Sequence, residues 1–375
     1  MIKRTLLNTI INNERDGFIN VIYGPRRVGK TVLLNQILDY YSKYKCITFN
    51  GDTVETRDLL SSNSQTRIEK ALKNYDIVAI DEAQRIENIG LTLKIIIDAF
   101  PQKKIFVTGS SSIDIARGLK ESLTGRTLKY KLYPLSLAEL SIEVEEYRKG
   151  SLVNELLIYG GYPFIHNLLN FDEKKSYLES IVEDYLFKDI LLLKNISQPD
   201  TLKKLLTLLS FQVGQQVSFN ELARTLQVDV KTVSKYITLL KQSFVIYELG
   251  SYSTNLRKEV AKAKKYYFWD LGIRNAVSGQ YFDLQQRTDL GSLWENFLIL
   301  ERLKKQEYLK INSSNYFWRT YEKAEVDWIE VGGNCINAFE FKYSPKNVKT
   351  PLAFKLGYKT DVKQINKENF LEFIS

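Results

Sequence analysis

The sequence predicts an α/β protein that opens with a parallel sheet covered by helices, and three features predict it. A Gly-rich stretch, Tyr23-Gly24-Pro25-Arg26-Arg27-Val28-Gly29-Lys30-Thr31, follows an apolar β-branched run at residues 18–23 and precedes apolar residues at helical spacing from Val32 to Leu38. A second apolar run, Ile77-Val78-Ala79-Ile80, ends in the acids Asp81 and Glu82. Around them helical and strand patterns alternate through residues 1–140, the rhythm of strands joined by crossover helices.

The Gly-rich stretch fits G-x-x-x-x-G-K-[ST], a loop whose backbone N–H groups wrap phosphates at a helix N-terminus. Glycines let such a backbone turn tightly and approach an anion. The spacing makes Gly24, Pro25, Arg26, Arg27, Val28, Gly29, Lys30, Thr31 and Val32 the candidate nucleotide-binding residues. Lys30 would place its charge on the β- and γ-phosphates, and Thr31 would offer its hydroxyl to Mg²⁺. ATP and Mg²⁺ are the expected cofactors, with the choice between ATP and GTP left open.

Residues 46–50 make a second strand. In the run ending at Asp81-Glu82, Asp81 would join the Mg²⁺ shell and Glu82 would orient or polarise an attacking water. Lys104-Ile105-Phe106-Val107-Thr108-Gly109-Ser110 is a strand ending in hydroxyls. Thr108 or Ser110 could hydrogen-bond the attacking water, or merely satisfy a strand end. Gly125-Arg126-Thr127 opens one more strand, residues 128–132. Arg126 could stabilise charge on a γ-phosphate in cis or in trans, or could be a salt-bridge partner.

With these residues in view, the chain resembles ATP-binding proteins that join an AAA-type ATPase domain to a C-terminal domain of unknown function. The residues that carry the likeness are Gly24 to Thr31, Ile80-Asp81-Glu82-Ala83-Gln84, Thr108-Gly109-Ser110-Ser111, Leu123-Thr124-Gly125-Arg126, Tyr133-Pro134-Leu135-Ser136 and Gly160-Gly161-Tyr162-Pro163. The resemblance implies an AAA-type parallel sheet in residues 1–140, ATP hydrolysis, and a small helical lid over the nucleotide in residues 141–195. The lid segment is helical in pattern, broken at Gly160-Gly161-Tyr162-Pro163, with a last helix expected over residues 177–193.

Residues 196–275 are expected to form a winged helix. Ser218-Phe219-Asn220-Glu221 is a capping-box pattern opening one short helix, and Asp229 caps a second. Two strands, residues 244–249 and 266–269, flank a basic loop. The polar face of the second helix (Lys231, Thr232, Ser234, Lys235) and the loop cations Arg257, Lys258, Lys262, Lys264 and Lys265 are the candidate DNA contacts. Winged helices also serve as packing modules, so DNA is an expected partner on the strength of these cations.

Residues 276–375 are expected to form a restriction-endonuclease-like α/β domain. Residues 325–331 and 334–342 flank Gly332-Gly333, a two-residue hairpin signal that pairs Asp327 with Ala338. Asp327, Glu340 and Lys342 then share a face, giving the D…E-x-K constellation of that fold. Asp327 and Glu340 would chelate Mg²⁺, Lys342 would polarise water or the scissile phosphate, and Glu295 resembles the fold's helical acid. A salt-bridged hairpin is the alternative.

Composition bounds the rest. The chain has 375 residues, 44% hydrophobic and 26% charged, enough for more than one core. No apolar run reaches the ~18 residues of a membrane helix, and no signal-type segment follows Met1. Cys46 and Cys335 make no disulfide framework, so a cytoplasmic location is expected. His166 is the one histidine, which excludes a multi-histidine metal site, and it is expected at the surface. The net charge of +9 suggests an acidic polymer as partner. The oligomeric state stays open.

Overall fold

A computed structural model describes residues 2–109, 123, 125–142, 144–145, 148–184, 198–253, 264–333 and 335–374. Ser110, Arg257, Lys258 and Lys262 lie outside the described residues, as does the 185–193 part of the helix expected over 177–193. The chain forms two compact units, Met1–Leu135 and Ser136–Ser375. The segments expected as lid, wing and C-terminal domain therefore all fall in the second unit.

In the first unit the order is α1 (Thr5–Asn13), β1 (Ile19–Tyr23), α2 (Lys30–Tyr40), β2 (Cys46–Asn50), α3 (Val54–Leu60), α4 (Gln65–Leu72), β3 (Ile77–Asp81), α5 (Ile89–Ala99), β4 (Lys104–Gly109) and β5 (Thr127–Lys131). The strands form one sheet in the order β2-β3-β4-β1-β5, and every pairing is parallel. All of β3 is buried, as a strand covered on both faces requires, which is why its sequence reads as an unbroken apolar run. Val78, Ile80, Ile105 and Val107 anchor the core with Leu93 and Ile96 of α5. Because β4 lies between β1 and β3, the carboxyl ends of these three strands converge on one edge.

The second unit begins with α6 (Leu137–Leu140), α7 (Lys149–Tyr159) and α8 (Phe171–Ile181). Its next elements are α9 (Pro199–Phe211), β6 (Gln216–Val217), α10 (Phe219–Leu226), α11 (Val230–Gln242), β7 (Ile246–Ser251) and β8 (Lys264–Phe268). Ser218 accepts from the Glu221 amide at 3.4 Å to start α10, and Asp229 accepts from the Thr232 amide at 2.6 Å to start α11. The chain continues through α12 (Leu271–Ser278), α13 (Leu290–Tyr308), β9 (Ser314–Arg319), β10 (Glu325–Gly332), β11 (Cys335–Phe341), α14 (Leu352–Tyr358), β12 (Val362–Ile365) and α15 (Phe370–Ile374).

One seven-stranded sheet, ordered β12-β11-β10-β9-β7-β8-β6, runs through this unit. The β7–β8 hairpin joins the C-terminal strands because β7 pairs in parallel with β9, Gly250 against Tyr316 and Ser251 against Phe317. The expected boundary near residue 275 is thus crossed by a continuous ladder. The β10–β11 register also differs from expectation. Ile329, not Asp327, faces Ala338, and Gly332 pairs with Cys335, so Gly332 belongs to the ladder rather than to the link. The shift is two residues, one strand period, so each side chain keeps its face.

The Gly160-Gly161-Tyr162-Pro163 break also has a packing reason. Both α7 and α8 pack on α12. A Cβ on Gly160 would lie 2.1 Å from Asp270 Oδ1, and one on Gly272 would lie 2.0 Å from the Tyr159 carbonyl. The amides of Gly161 and Ile273 donate to Asp270 at 2.7 and 3.1 Å. Asn275 donates to the carbonyls of Leu157 and Ile158 at 3.0 and 2.8 Å, closing the end of α7.

Candidate functional site

The loop between β1 and α2 forms the floor of the site. Gly24 is required for a reason other than anion approach: a Cβ there would stand 2.1 Å from the Leu132 carbonyl oxygen. Gly29 (φ 90°) adopts the left-handed conformation that starts α2. Lys30 is buried, and its ammonium donates to the carbonyls of Gly24 and Pro25 at 3.2 and 2.8 Å. Burial pulls its pKa down to about 8, against the opposing charges of Glu82 and Asp81. Arg4, which the sequence did not single out, braces the loop from behind. Its guanidinium is buried and donates at 2.7 Å to the carbonyls of Val28 and Tyr133.

The first turn of α2 and two strand ends supply the remaining groups. Thr31 donates to Asp81 Oδ2 at 2.7 Å, and Thr108, fully buried, donates to Asp81 Oδ1. The Glu82 amide donates to Asp81 Oδ1 at 3.1 Å and to Thr108 Oγ1 at 3.2 Å. Glu82 itself sits at φ 49°, ψ 43°, and its carboxylate accepts from the Gln84 amide. So Lys30, Thr31, Asp81, Glu82 and Thr108, predicted from three separate stretches, come together at the carboxyl edge of the sheet.

Among the described residues no three His, Cys, Asp or Glu side chains are arranged to hold a metal. A cation at Thr31 and Asp81 would therefore take one hydroxyl and one carboxylate, with water and phosphate oxygens completing its shell. That donor set suits Mg²⁺.

Arg126 is not at this edge. It immediately precedes β5, and its carbonyl accepts from the Ile19 amide at the start of β1. One strand length, about 16 Å at ~3.3 Å per residue, separates it from the loop that follows Tyr23. Its guanidinium pairs with Asp98 at 2.5 Å. The cis role is corrected on this ground: in a parallel sheet the two ends of a strand face opposite edges.

In the second unit Lys265 changes the setting of the expected metal centre. It was expected on a basic loop facing phosphate, but it lies in β8, 1% exposed. Its ammonium reaches Glu325 at 2.5 Å, Glu295 at 3.2 Å and Asp327 at 4.0 Å. Tyr267 adds a hydroxyl to Glu295 at 2.6 Å, and the other oxygen of Asp327 accepts from the Phe341 amide at 2.9 Å. Lys342 pairs with Glu340 at 2.6 Å. An ammonium thus stands among the acids expected to chelate Mg²⁺. Burial raises the pKa values of Glu295, Asp327 and Glu340, with lysine charges opposing the shift.

A one-residue irregularity between Val326 and Ile329 places Asp327 at a bulge in β10. Lys264 pairs with Glu248 at 2.8 Å. On α11, Lys231, Ser234 and Lys235 are exposed and Thr232 is half-buried, while Val233, Tyr236, Ile237 and Leu240 face the core. His166, expected at the surface, is half-buried, and burial lowers its pKa to about 4.

Comparison with known proteins matches the first unit to one family model and the second unit to two. Residues 16–141 match a family model described as "AAA domain". Residues 150–283 and 290–369 match two models described as domains of unknown function, DUF8612 and DUF4143. Curated relatives include the uncharacterized protein Rv2008c of Mycobacterium tuberculosis, 27% identical over 86% of this chain and 69% of that protein. An uncharacterized protein of Haemophilus influenzae is 25% identical over 95% of this chain and 91% of its own. Solved structures overlap loosely. AMPPCP-bound DnaA from Aquifex aeolicus gives TM-score 0.29 at 15% identity, over 63% of this chain and 86% of its own. A Thermotoga maritima RuvB mutant gives 0.32 at 17%, over 66% and 88%. Overlaps this loose carry no argument. What the comparisons add is that the stretch holding the loop, Asp81-Glu82 and Thr108 is similar to AAA domains.

Proposed function

We propose that the chain is a Mg²⁺-dependent ATPase, hydrolysing ATP to ADP and phosphate at the carboxyl edge of the first sheet. The observation that carries this is the convergence of Lys30, Thr31, Asp81, Glu82 and Thr108 there. The amides of the 24–31 loop and the start of α2 would cradle the phosphates. Lys30 would exchange its two loop carbonyls for phosphate oxygens, and its charge is retained at neutral pH with a pKa near 8. Thr31 and Asp81 would hold Mg²⁺, which supplies charge neutralisation on the β- and γ-phosphates. Glu82 would orient the attacking water, and Thr108 would fix the water or the carboxylate of Asp81 beside it.

Steady-state ATP turnover tests this. Lys30→Ala should abolish turnover together with nucleotide binding, whereas Glu82→Gln should keep binding and lose turnover by a factor of roughly 100 or more. Full turnover in either variant refutes the assignment. Tight ATP binding with no turnover in the unaltered chain would instead make it a nucleotide switch.

The exposed polar face of α11 supports a second element of this reading, that ATP turnover is coupled to DNA. We read the order of α9, β6, α10, α11 and the β7–β8 hairpin as a winged helix. Its second helix presents Lys231, Ser234 and Lys235 to solvent, where backbone phosphates can be met. A restriction-endonuclease-like reading of the C-terminal strands rests on the shared face of Asp327 and Glu340. Lys265 weighs against metal-dependent cleavage there.

A further inference from the structure

Glu82 is held more firmly than a water-orienting acid needs for folding alone. Its amide is committed to Asp81 and Thr108, and its carbonyl accepts from the Arg85 amide at 3.0 Å. On the other side Gly51 donates its amide to the Asp81 carbonyl at 2.9 Å. A Cβ on Gly51 would lie 2.4 Å from the Glu82 carbonyl oxygen. The residue occupies the left-handed region at φ 49°, a conformation that is strained for a side chain with a Cβ. With the backbone fixed on both sides, only side-chain torsions remain to aim the carboxylate.

The short turn Ala83–Arg85 brings Gln84 back over Glu82, and its Nε2 donates to Glu82 Oε2. We propose that Gln84 is a positioning residue for ATP hydrolysis, holding one oxygen of Glu82 so that the other is presented to the attacking water. This rests on the ATPase reading. An amide suits the task because it donates a hydrogen bond without placing a charge beside Glu82.

The test is steady-state ATP turnover by the full chain, its Gln84→Ala variant and the near-isosteric Gln84→Glu variant. A misplaced catalytic group can lower the rate by up to about 100-fold, and a loss of about tenfold in kcat at unchanged KM is expected for Gln84→Ala. Gln84→Glu keeps the size of the side chain but removes the donor, so it should lose kcat by a similar factor at unchanged KM, a split that a merely structural role for Gln84 does not produce. The proposal is overturned if either variant keeps or gains kcat, or if the loss falls on KM instead. Those outcomes leave the ATPase reading standing, whereas absence of turnover in the unaltered chain overturns both.

Discussion

Asp270 shows how one buried side chain sets the pH response of its surroundings. Burial raises its pKa to about 6 although the amides of Gly161, Ile273 and Gly272 stabilise its charged form. Because the folded pKa exceeds the ordinary value of 3.8, the folded state takes up the proton more readily. This group's contribution to stability is fully present below about pH 4 and lost as pH rises through 6. Asp270→Asn removes the titration. Urea unfolding midpoints should therefore favour the variant more at pH 7 than at pH 4, by up to about 3 kcal/mol of relative stability. An equal gap at the two pH values would count against a buried, titrating Asp270.

At the scale of elements, the β8 strand carries the main difference between expectation and structure. Lys265 holds the acids of α13 and β10, so Lys265→Met leaves Glu295, Glu325 and Asp327 without their ammonium. Breaking a buried ion pair costs about 3–5 kcal/mol. The loss of thermal stability should be large at pH 8 and smaller at pH 5, because carboxylates with raised pKa values can take up protons instead. A melting temperature unchanged from wild type at pH 8 would refute the role. The convergence of Lys30, Thr31, Asp81, Glu82 and Thr108 could be anticipated from sequence because these residues sit in contiguous motifs, each following one strand. Asp81 and Glu82 follow an apolar run, and Lys30 and Thr31 close a spaced loop. Lys265 was not legible, since its partners lie 30 or more positions away and those on β10 meet it through the β7–β9 pairing. The hairpin register was misjudged because Gly332-Gly333 reads as a two-residue link, whereas Gly332 extends the ladder by pairing with Cys335. The misplaced Arg126 has a simpler cause: local sequence does not say which end of a strand faces the nucleotide.

For the whole molecule, a net charge of +9 favours association with polyanions without naming one. The structure narrows which cations are available. Lys265 is buried and Lys264 is engaged with Glu248, while Lys231 and Lys235 stand exposed on α11. Duplex DNA binding, followed by fluorescence anisotropy across a salt series, should weaken as salt rises. Replacing both Lys231 and Lys235 by Ala should reduce the slope of log K against log salt by about two. An unaltered slope would remove α11 from the interface, and salt-independent binding would remove phosphate contact altogether.

The parallel pairing of β7 with β9 also decides where this chain can be divided. A cut near residue 275 looks safe from sequence, since it falls between two apparent modules. It would strip β7 from β9 and leave a row of unpaired amides and carbonyls beside the buried Phe317 and the Tyr316 ring. Bare edges of that kind recruit strands from other molecules. The C-terminal strands therefore owe their solubility to a neighbour that sequence assigns to a different module, and recombination between relatives at that junction would select against itself through aggregation.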